Sequence, residues 1–293
     1  MDSVPYAFCE AVCGVLRGIR ELKKLCEGSA IDYHIWNLAA KRTQDRRMDA
    51  DIYVDFSGRT WSYMIKIRGD DGRMLSFQDF KKLDRQHIHL NNVWIGSQFS
   101  NLTSTSTLEE IAEILKFTAP CVNLSFIVIS QRCFVPEDDL SRLLSFYQNA
   151  TFRRISCYYQ NRASEQFLIA LMQTSALESF FIGGDGWTEE FRSAIEEFAL
   201  NKEFGSINVS RSPSLVFGRA FFDALIQKPL FQKRSTFEAQ FSFDAQELMT
   251  SGFQEIAGRF SRKAVRNSQQ KCVSVTVRYD IMSVELEQPS SAI

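Results

Sequence analysis

The sequence is poor in histidine, which often carries acid–base catalysis and metal binding. It has only three histidines in 293 residues, which leaves little room for acid–base chemistry by histidine. No C-x-x-C pair, H-E-x-x-H helix or G-x-S-x-G elbow occurs, so the common zinc and serine-hydrolase signatures are missing. Carboxylates are plentiful, but a sequence does not show which of them converge in space. The pattern favours a non-enzymatic protein that needs no cofactor.

The chain also lacks an excess of charge and any long apolar run. It carries 34 basic and 35 acidic side chains, a formal net charge of −1, which argues against general electrostatic binding to nucleic acid or to an anionic membrane. No apolar run approaches the ~18 residues that span a bilayer, and the first residues lack the basic region of a signal peptide. We therefore expect a protein of the cytoplasm or the nucleus, with neither nucleic acid nor membrane as a partner.

Cysteine and histidine patterns that suggest a metal site are incomplete. The seven cysteines are an odd number without a C-x-x-C pair, which indicates reduced, buried thiols. Cys9 and Cys13 share one helical face, but no second pair completes a site, so packing is the favoured interpretation. His87 and His89 lie two apart on a predicted strand and, with Asn91, would line a polar groove. A solvated strand face is favoured over a zinc site there.

What the sequence does contain is a repeated alternation of apolar and polar residues. It is clearest in Thr236–Phe243 and recurs in Gly205–Ser210 and Val273–Arg278. Helical stretches separate these strands, so the sheet should be largely parallel. Parallel sheets are usually covered on both faces, whereas here one face of each strand is polar. We predict an α/β fold: a curved, leucine-rich-repeat-like solenoid whose helices cover one face of a largely parallel sheet.

The same periodicities locate the repeating elements. Phe126, Ile155, Phe180 and Ile207 follow one another at 29, 25 and 27 residues, close to the 20–29 residues of a leucine-rich-type repeat. The basic stretch Arg259–Lys271 is interpreted as a helix end and loop. Strands are predicted at Ile88–Ile95, Leu124–Ile129, Phe152–Tyr158, Leu177–Ile182, Phe204–Val209, Ser235–Phe243 and Cys272–Tyr279. Helices are predicted at Leu108–Phe117, Glu137–Gln148, Glu165–Gln173, Thr188–Leu200, Phe217–Gln227 and Ala245–Ala257.

A different pattern precedes the repeats. Residues 1–45 have helical spacing of apolar residues, broken before a second helical stretch at Tyr33–Lys41. The period then changes to two, and Asp51–Phe56 and Trp61–Ile67 predict a hairpin around a short turn that contains Gly58. We therefore divide the chain into a helical head, 1–45, and a hairpin followed by solenoid repeats, 46–293.

A glycine-rich segment within the repeats resembles a phosphate loop only superficially. Gly183–Gly186 follows a predicted strand and precedes a helix. The helix, however, opens with Glu189 and Glu190, and acidic residues in a first turn repel phosphate. No Lys-Ser or Lys-Thr completes a P-loop. A strand-to-helix turn is the favoured interpretation.

The head resembles an F-box, a motif that opens with Leu-Pro, continues through an amphipathic helix and closes near a tryptophan. The whole chain resembles nematode F-box-type proteins, which begin M-D-S-V-P and continue into α/β repeats. The residues that carry the resemblance are Val4-Pro5, Phe8, Val12, Leu16, Trp36, Trp61-Ser62-Tyr63 and Gly186-Trp187-Thr188. The resemblance implies that the head docks on a Skp-type adaptor of a cullin–RING ubiquitin ligase through Pro5, Phe8, Val12 and Leu16.

We therefore expect a protein-interaction protein, with a role as the substrate-recognition adaptor of a ubiquitin ligase implied by the resemblance. Two alternatives stay open: a solenoid interaction module with no ligase link, and a hydrolase or transferase whose pocket the sequence does not reveal. The predicted protein-binding residues of the concave sheet face are Arg154, Ser156, Tyr158, Asn208, Gln240, Thr276 and Arg278.

Overall fold

The computed structural model describes residues 5–15, 34–57, 59–68, 72–96, 104–130, 134–174, 177–228, 234–250, 253–256, 259–266, 269–278 and 281–287. The helices are α1 (Tyr6–Val15), α2 (His34–Arg46), α3 (Phe77–Lys81), α4 (Leu108–Thr118), α5 (Glu137–Ser145), α6 (Arg162–Thr174), α7 (Glu189–Asn201), α8 (Arg219–Gln227) and α9 (Ala245–Thr250). The strands are β1 (Met48–Ser57), β2 (Thr60–Ile67), β3 (Met74–Leu75), β4 (Ile88–Ile95), β5 (Ser104–Ser106), β6 (Val122–Ile129), β7 (Thr151–Tyr158), β8 (Ser179–Gly183), β9 (Ser206–Arg211), β10 (Val216–Phe217), β11 (Arg234–Phe241), β12 (Gln254–Ile256), β13 (Arg259–Arg266), β14 (Gln269–Arg278) and β15 (Ile281–Glu287).

The strands form one mixed sheet whose central part is parallel. Its order is β12-β13-β14-β15-β11-β9-β8-β7-β6-β4-β1-β2-β3, with β10 beside β11 and β5 beside β2. From β1 through β4, β6, β7, β8 and β9 to β11, each neighbouring pair is parallel and the chain always advances in the same direction. Right-handed crossovers that never reverse place their helices on the same face of a sheet. The opposite face of this parallel run therefore carries none of the connecting helices within the described ranges.

The hydrophobic core lies between the sheet and these helices. Alternate strand residues, such as Ile155, Phe180 and Ile207, belong to one buried cluster that also contains the apolar residues of α4 to α8. Phe180 on β8 packs edge-on against Phe198 of α7, with ring centroids 5.5 Å apart. Similar aromatic contacts recur from one strand–helix layer to the next, which accounts for much of the chain's high phenylalanine content of 25.

Serine and threonine side chains cap the N-termini of several helices. Ser76, Thr107 and Thr188 each accept a hydrogen bond from the backbone N–H three residues later, at the start of α3, α4 and α7. Such a cap contributes about 1 kcal/mol. Acidic residues in the first turns of α4, α5 and α7 complement the positive end of the helix dipole. None of the helices within the described ranges is long and apolar enough to cross a bilayer.

The head consists of α1 and α2 packed against each other. Glu10 of α1 lies 3.4 Å from Arg42 and 3.8 Å from Arg46 of α2, so ion pairs flank the contact. The helix predicted at Tyr33–Lys41 begins at His34 and continues to Arg46. The residues buried between the two helices are Cys9, Cys13, Ala39 and Ala40, so both cysteines take the packing role predicted for them.

The coarse architecture predicted from the sequence is confirmed. The chain is α/β, with an open mixed sheet, and each of the seven predicted repeat strands overlaps an observed one. The predicted hairpin is formed by β1 and β2, with Ser57 opposite Thr60. Arg59 in its two-residue turn has a positive φ of 69°, as this tight hairpin turn requires. The parallel arrangement holds in the centre of the sheet, while both flanks are antiparallel.

The prediction is wrong in the C-terminal part of the chain. The predicted helix Ala245–Ala257 ends at Thr250, and Gln254–Ile256 forms β12. The stretch Arg259–Lys271, expected as a helix end and loop, forms β13 and the start of β14. Frequent charged residues hide the alternation of apolar and polar side chains in this stretch. In the fold, antiparallel pairing between β13 and β14 satisfies the hydrogen bonds of its backbone.

Candidate interaction surface

We call the side of the sheet opposite the helices the open face. Its side chains come from the strand positions that alternate with the core residues, and the strand registers align them in rows. One row spans ten strands, or roughly 43 Å at about 4.8 Å per strand. That row consists of Met64, Tyr53, Trp94, Val128, Ser156, Phe181, Asn208, Glu238, Ser283 and Thr276.

All seven predicted surface positions lie on the open face. Ser156, Asn208 and Thr276 share the long row, and Gln240 is aligned through Ile281 with position 278. The side chain of Arg278 lies outside the described part of the chain. The other six side chains, those of Arg154, Ser156, Tyr158, Asn208, Gln240 and Thr276, are partly or fully exposed.

Arg211 joins the open face through an irregularity that the sequence did not reveal. Phe181 is opposite Asn208, but Gly183 is opposite Arg211, so β9 has one extra residue in this interval. Strict alternation from Val209, which is buried, would put Arg211 in the core. The bulge redirects the side chain, and Arg211 is exposed.

Tyr158, Phe181, Gly183 and Arg211 form a compact group that we call the Tyr158 platform. The Tyr158 and Phe181 ring centroids are 5.6 Å apart, and the Arg211 guanidinium carbon lies 5.6 Å from the Phe181 centroid. Nη1 of Arg211 donates a hydrogen bond to the Tyr158 hydroxyl over 3.3 Å. A Cβ at Gly183 would lie 2.5 Å from Cε1 of Tyr158. The missing side chain at position 183 therefore allows the tyrosine ring to rest on β8.

Beside the platform, amide and hydroxyl groups satisfy one another. Nδ2 of Asn208 donates to Glu238 over 2.9 Å. Oδ1 of Asn208 accepts from the backbone N–H of Ser210 over 3.1 Å and from its hydroxyl over 2.8 Å. These bonds fix the amide orientation of Asn208 in the middle of the open face.

Arg154 and its neighbour in sequence are in different electrostatic situations. Nε of Arg153 lies 2.5 Å from Glu178 and forms an ion pair. Arg154 is exposed, and no carboxylate of the described residues pairs with it. Its charge is therefore available to a partner that approaches the open face.

The open face changes character on β1, where Asp49, Asp51, Tyr53 and Asp55 alternate with core residues. Asp51 is only 3% exposed. Its carboxylate receives hydrogen bonds from Nε of Arg68 over 2.6 Å and from Nδ2 of Asn92 over 2.7 Å. This acidic group is therefore neutralised and bonded within the protein.

Asp49 is held in a similar way at the start of β1. Its Oδ1 lies 2.9 Å from Nε of Arg47 and 3.3 Å from Nδ1 of His89. Burial alone would raise the pKa of Asp49, but the hydrogen bonds and charges of His89 and Arg47 outweigh it and lower the pKa to about 2. The carboxylate is thus ionised throughout the physiological range.

Aromatic rings fill the open face between these aspartates and β7. The rings of Tyr53 and Trp94 are nearly parallel, with an interplanar angle of 19° and centroids 6.1 Å apart. Trp94 contacts Phe126 edge-on, also at 6.1 Å. Burial, together with the charge of Asp51, raises the pKa of Tyr53. The phenol therefore stays neutral in this packed cluster.

The sequence patterns that resembled metal sites have other roles. His87 belongs to a short 3-10 helix and not to β4, so it does not share a strand face with His89. His89 contacts Asp49 and Asn91, which corrects the predicted groove. Within the described ranges, no group of three or more histidine, cysteine or acidic residues has the geometry to hold a metal ion. The described cysteine side chains are those of Cys9, Cys13, Cys121 and Cys157, and all four are buried free thiols.

The glycine-rich segment after β8 forms a strand-to-helix turn. Gly184 and Gly186 have positive φ values of 83° and 102°, which favour glycine. Trp187 donates from Nε1 to the carbonyl of Gly183 over 3.1 Å, and Thr188 caps α7. The turn therefore has the structural role predicted for it.

The head presents part of its predicted docking face to solvent. The carbonyl of Pro5 accepts the N–H of Phe8 over 3.0 Å at the start of α1. Phe8 is 56% exposed, while Val12, one turn later, is partly exposed. Leu38 on α2 is 53% exposed. Leu16 lies outside the described residues.

A cleft of about 350 Å³ separates the head from the start of β4. Glu10 and Arg46 line it and lie 3.8 Å apart. Gln86 and His87 form part of its other wall. The acidic and basic groups that line this cleft therefore already pair with each other.

Comparison with known proteins adds no relative to these observations. No family model, no curated protein and no solved structure matches the chain.

Proposed function

We propose that this chain is a non-enzymatic protein-interaction protein whose open face binds a protein partner. The observation that carries the proposal is a row of ten side chains on ten strands, of which all but Met64 and Val128 are partly exposed, and which none of the described helices of the parallel run covers. Open α/β sheets usually bind small ligands at a reversal of strand order. The parallel run of this sheet has no such reversal, so its long face is better suited to a macromolecule than to a small substrate.

The finer shape in this proposal is a curved, leucine-rich-repeat-like solenoid. Packed helices need 8–10 Å between their axes, whereas neighbouring strands are about 4.8 Å apart. When each strand is followed by a helix on the same side, the helical layer needs more width than the strand layer. Bending that places the strands on the inner side relieves this mismatch. The open face is then the concave, partner-binding surface of the protein.

The head supplies a second contact in this proposal. Phe8 and Leu38 expose apolar side chains on α1 and α2, and the Phe8 ring contacts Trp36 at 6.3 Å. We infer that this surface docks on a Skp-type adaptor, so that the open face acts as the substrate-recognition surface of a cullin–RING ubiquitin ligase. The alternative, an interaction module without a ligase link, keeps the open face as the binding surface and gives the head a purely structural role.

Site-specific photocrosslinking tests the binding role of the open face. A benzophenone amino acid replaces Ser156 in the long row, and a matched protein carries it at Gln166, an exposed position on α6. Both proteins are irradiated in extracts of the cells that express the chain. We expect discrete protein adducts from position 156 and none of the same mass from position 166. Identical patterns, or no adduct from position 156, would contradict the proposed function.

Co-purification with a recombinant Skp-type adaptor tests the ligase link separately. We expect the wild-type chain to retain the adaptor and Phe8→Asp to lose it, because a charge would replace an exposed apolar contact. Lys41→Asp, at an exposed position on α2, serves as the control and should retain binding. If the wild-type chain does not bind the adaptor, the module without a ligase link is the correct version.

A further inference from the structure

The centre of the open face carries positive charge that the protein does not neutralise. Arg154 on β7 and Arg211 on β9 are both exposed, and neither has an ion pair with any carboxylate of the described residues. The nearest acidic group on the next strand, Glu238, bonds to Asn208. Asp185, in the turn after β8, accepts a hydrogen bond from the N–H of Gly186 over 3.0 Å. This region therefore contrasts with β1, where the carboxylates discussed above bond to side chains of the same protein.

Arg211 is also held in a defined orientation. Its Nη1 donates to the Tyr158 hydroxyl over 3.3 Å, and its guanidinium lies over the Phe181 ring. Among the described residues, no acceptor bonds to Nε or Nη2. These two donors form the planar fork that binds a carboxylate side-on. A side chain already fixed by its neighbours loses less conformational entropy when it binds.

The spacing of the two arginine backbones limits the shape of an occupant. Arg154 is level with the start of β8, while Arg211 is level with Gly183 at its end. Four residues along a strand and two strands across correspond to roughly 16 Å between the two Cα atoms. An extended peptide covers this distance in about five residues. Two carboxylates separated by four intervening residues would thus reach both arginines.

From these observations, and resting on the function proposed above, we infer that the Tyr158 platform and Arg154 bind an extended acidic segment of the partner protein. One carboxylate of this segment is bound side-on by Nε and Nη2 of Arg211. A second carboxylate, about five residues away, lies near Arg154. The segment crosses β8 between them, where Phe181 and Ser156 offer apolar contact and a hydroxyl group.

Defined peptide probes test this inference on the purified full chain. The first is a fluorescein-labelled serine decapeptide with two glutamates separated by four residues. The second has glutamine at both positions, and the third has the two glutamates adjacent. By fluorescence anisotropy at low salt, we expect the first probe to bind at least about tenfold more tightly than the second and several-fold more tightly than the third. Added salt should weaken this binding, because the interaction is between charges.

Arginine variants then locate the binding site. Arg211→Gln should weaken binding of the first probe by about tenfold and Arg154→Gln by about threefold. Arg211→Lys should lose most of the affinity although it keeps the charge, because lysine has no planar fork. Arg153→Gln is the matched control and should bind as wild type, since Arg153 already pairs with Glu178. Unchanged thermal unfolding verifies that each variant is folded.

Several outcomes would overturn the inference. Equal affinity for the glutamate and glutamine probes, no binding of the first probe, or wild-type binding by Arg211→Gln would each do so. If these results occur while position 156 still gives partner adducts, only the acidic character of the partner is wrong. If position 156 gives no adduct, the proposed function fails and this inference fails with it.

Discussion

Two regions of the open face, its β1 side and its centre, use polar residues in different ways. Near β1, Asp49 and Asp51 bond to arginine, histidine and asparagine side chains of the same protein, and neighbouring aromatic rings pack on one another. Near β7 to β9, Arg154 and Arg211 remain exposed without ion pairs to described residues. The first region stabilises the sheet, whereas the second retains exposed charge that no described carboxylate neutralises. Polar residues on one sheet face therefore do not all indicate binding.

Removing the buried carboxylate on the β1 side should have the largest effect. Asp51→Ala deletes charge-assisted hydrogen bonds with Arg68 and Asn92 at a site that is 3% exposed. We expect a loss of about 2–3 kcal/mol in the free energy of unfolding. Glu238→Ala, on the partly exposed β11, should cost less than about 1 kcal/mol. Urea denaturation of both variants compares the two regions, and equal losses would contradict the comparison.

Filling the space under Tyr158 should have the next largest effect. Gly183→Ala puts a Cβ within 2.5 Å of the tyrosine ring, so the ring must leave its position or the strand must shift. We expect a loss of about 2 kcal/mol, together with weaker binding of the acidic peptide. Gly218→Ala is the control, because a Cβ there meets nothing within 4 Å. It should change stability by less than about 0.5 kcal/mol, and a similar loss in both variants would refute the steric explanation.

The stabilisation by Asp49 should depend on pH. Its pKa of about 2 in the folded protein lies below the ordinary value of 3.8, so the unfolded chain binds more protons between these values. The contribution is therefore fully present above about pH 4 and is lost as the pH falls through 2. We expect Asp49→Asn to cost roughly 1–2 kcal/mol at pH 7 and almost nothing near pH 2. Urea titrations at several pH values measure the difference, and a loss independent of pH would exclude this linkage.

Arg154 should contribute least to stability. Because it is exposed and has no ion pair with described residues, Arg154→Gln should change the free energy of unfolding by less than about 0.5 kcal/mol. Arg47→Gln removes a partner of Asp49 and should cost more, about 1 kcal/mol. Thermal unfolding of the two variants checks the order. A larger loss for Arg154→Gln would show that this arginine is structural.

Alternation of apolar and polar residues was sufficient to predict the parallel centre of the sheet and the polar side of its strands. In Arg234–Phe241, for example, every second residue is buried as predicted. The same rule failed for Arg211, because a bulge adds a residue to β9 and no local residue type marks it. It also failed for Arg259–Arg266, where frequent charges obscure the period and long-range pairing decides the structure.

The roles of individual side chains were less predictable than the strands. The sequence placed Asp51 at the start of a hairpin strand but did not include Asp49 in it. It also did not show their bonds to Arg47, Arg68 and Asn92, which come from other parts of the chain or depend on side-chain direction. It also assigned Gly183 to a turn. The requirement for glycine arises instead from the ring of Tyr158 on the neighbouring strand.

In the parallel run, neighbouring strands follow one another in chain order, and this affects how the protein can evolve. Each strand–helix unit between β6 and β11 touches mainly the units before and after it. Gain or loss of one unit would lengthen or shorten the surface by about 4.8 Å and leave the remaining units in register. The length of the open face can therefore evolve in discrete steps, without redesign of the scaffold.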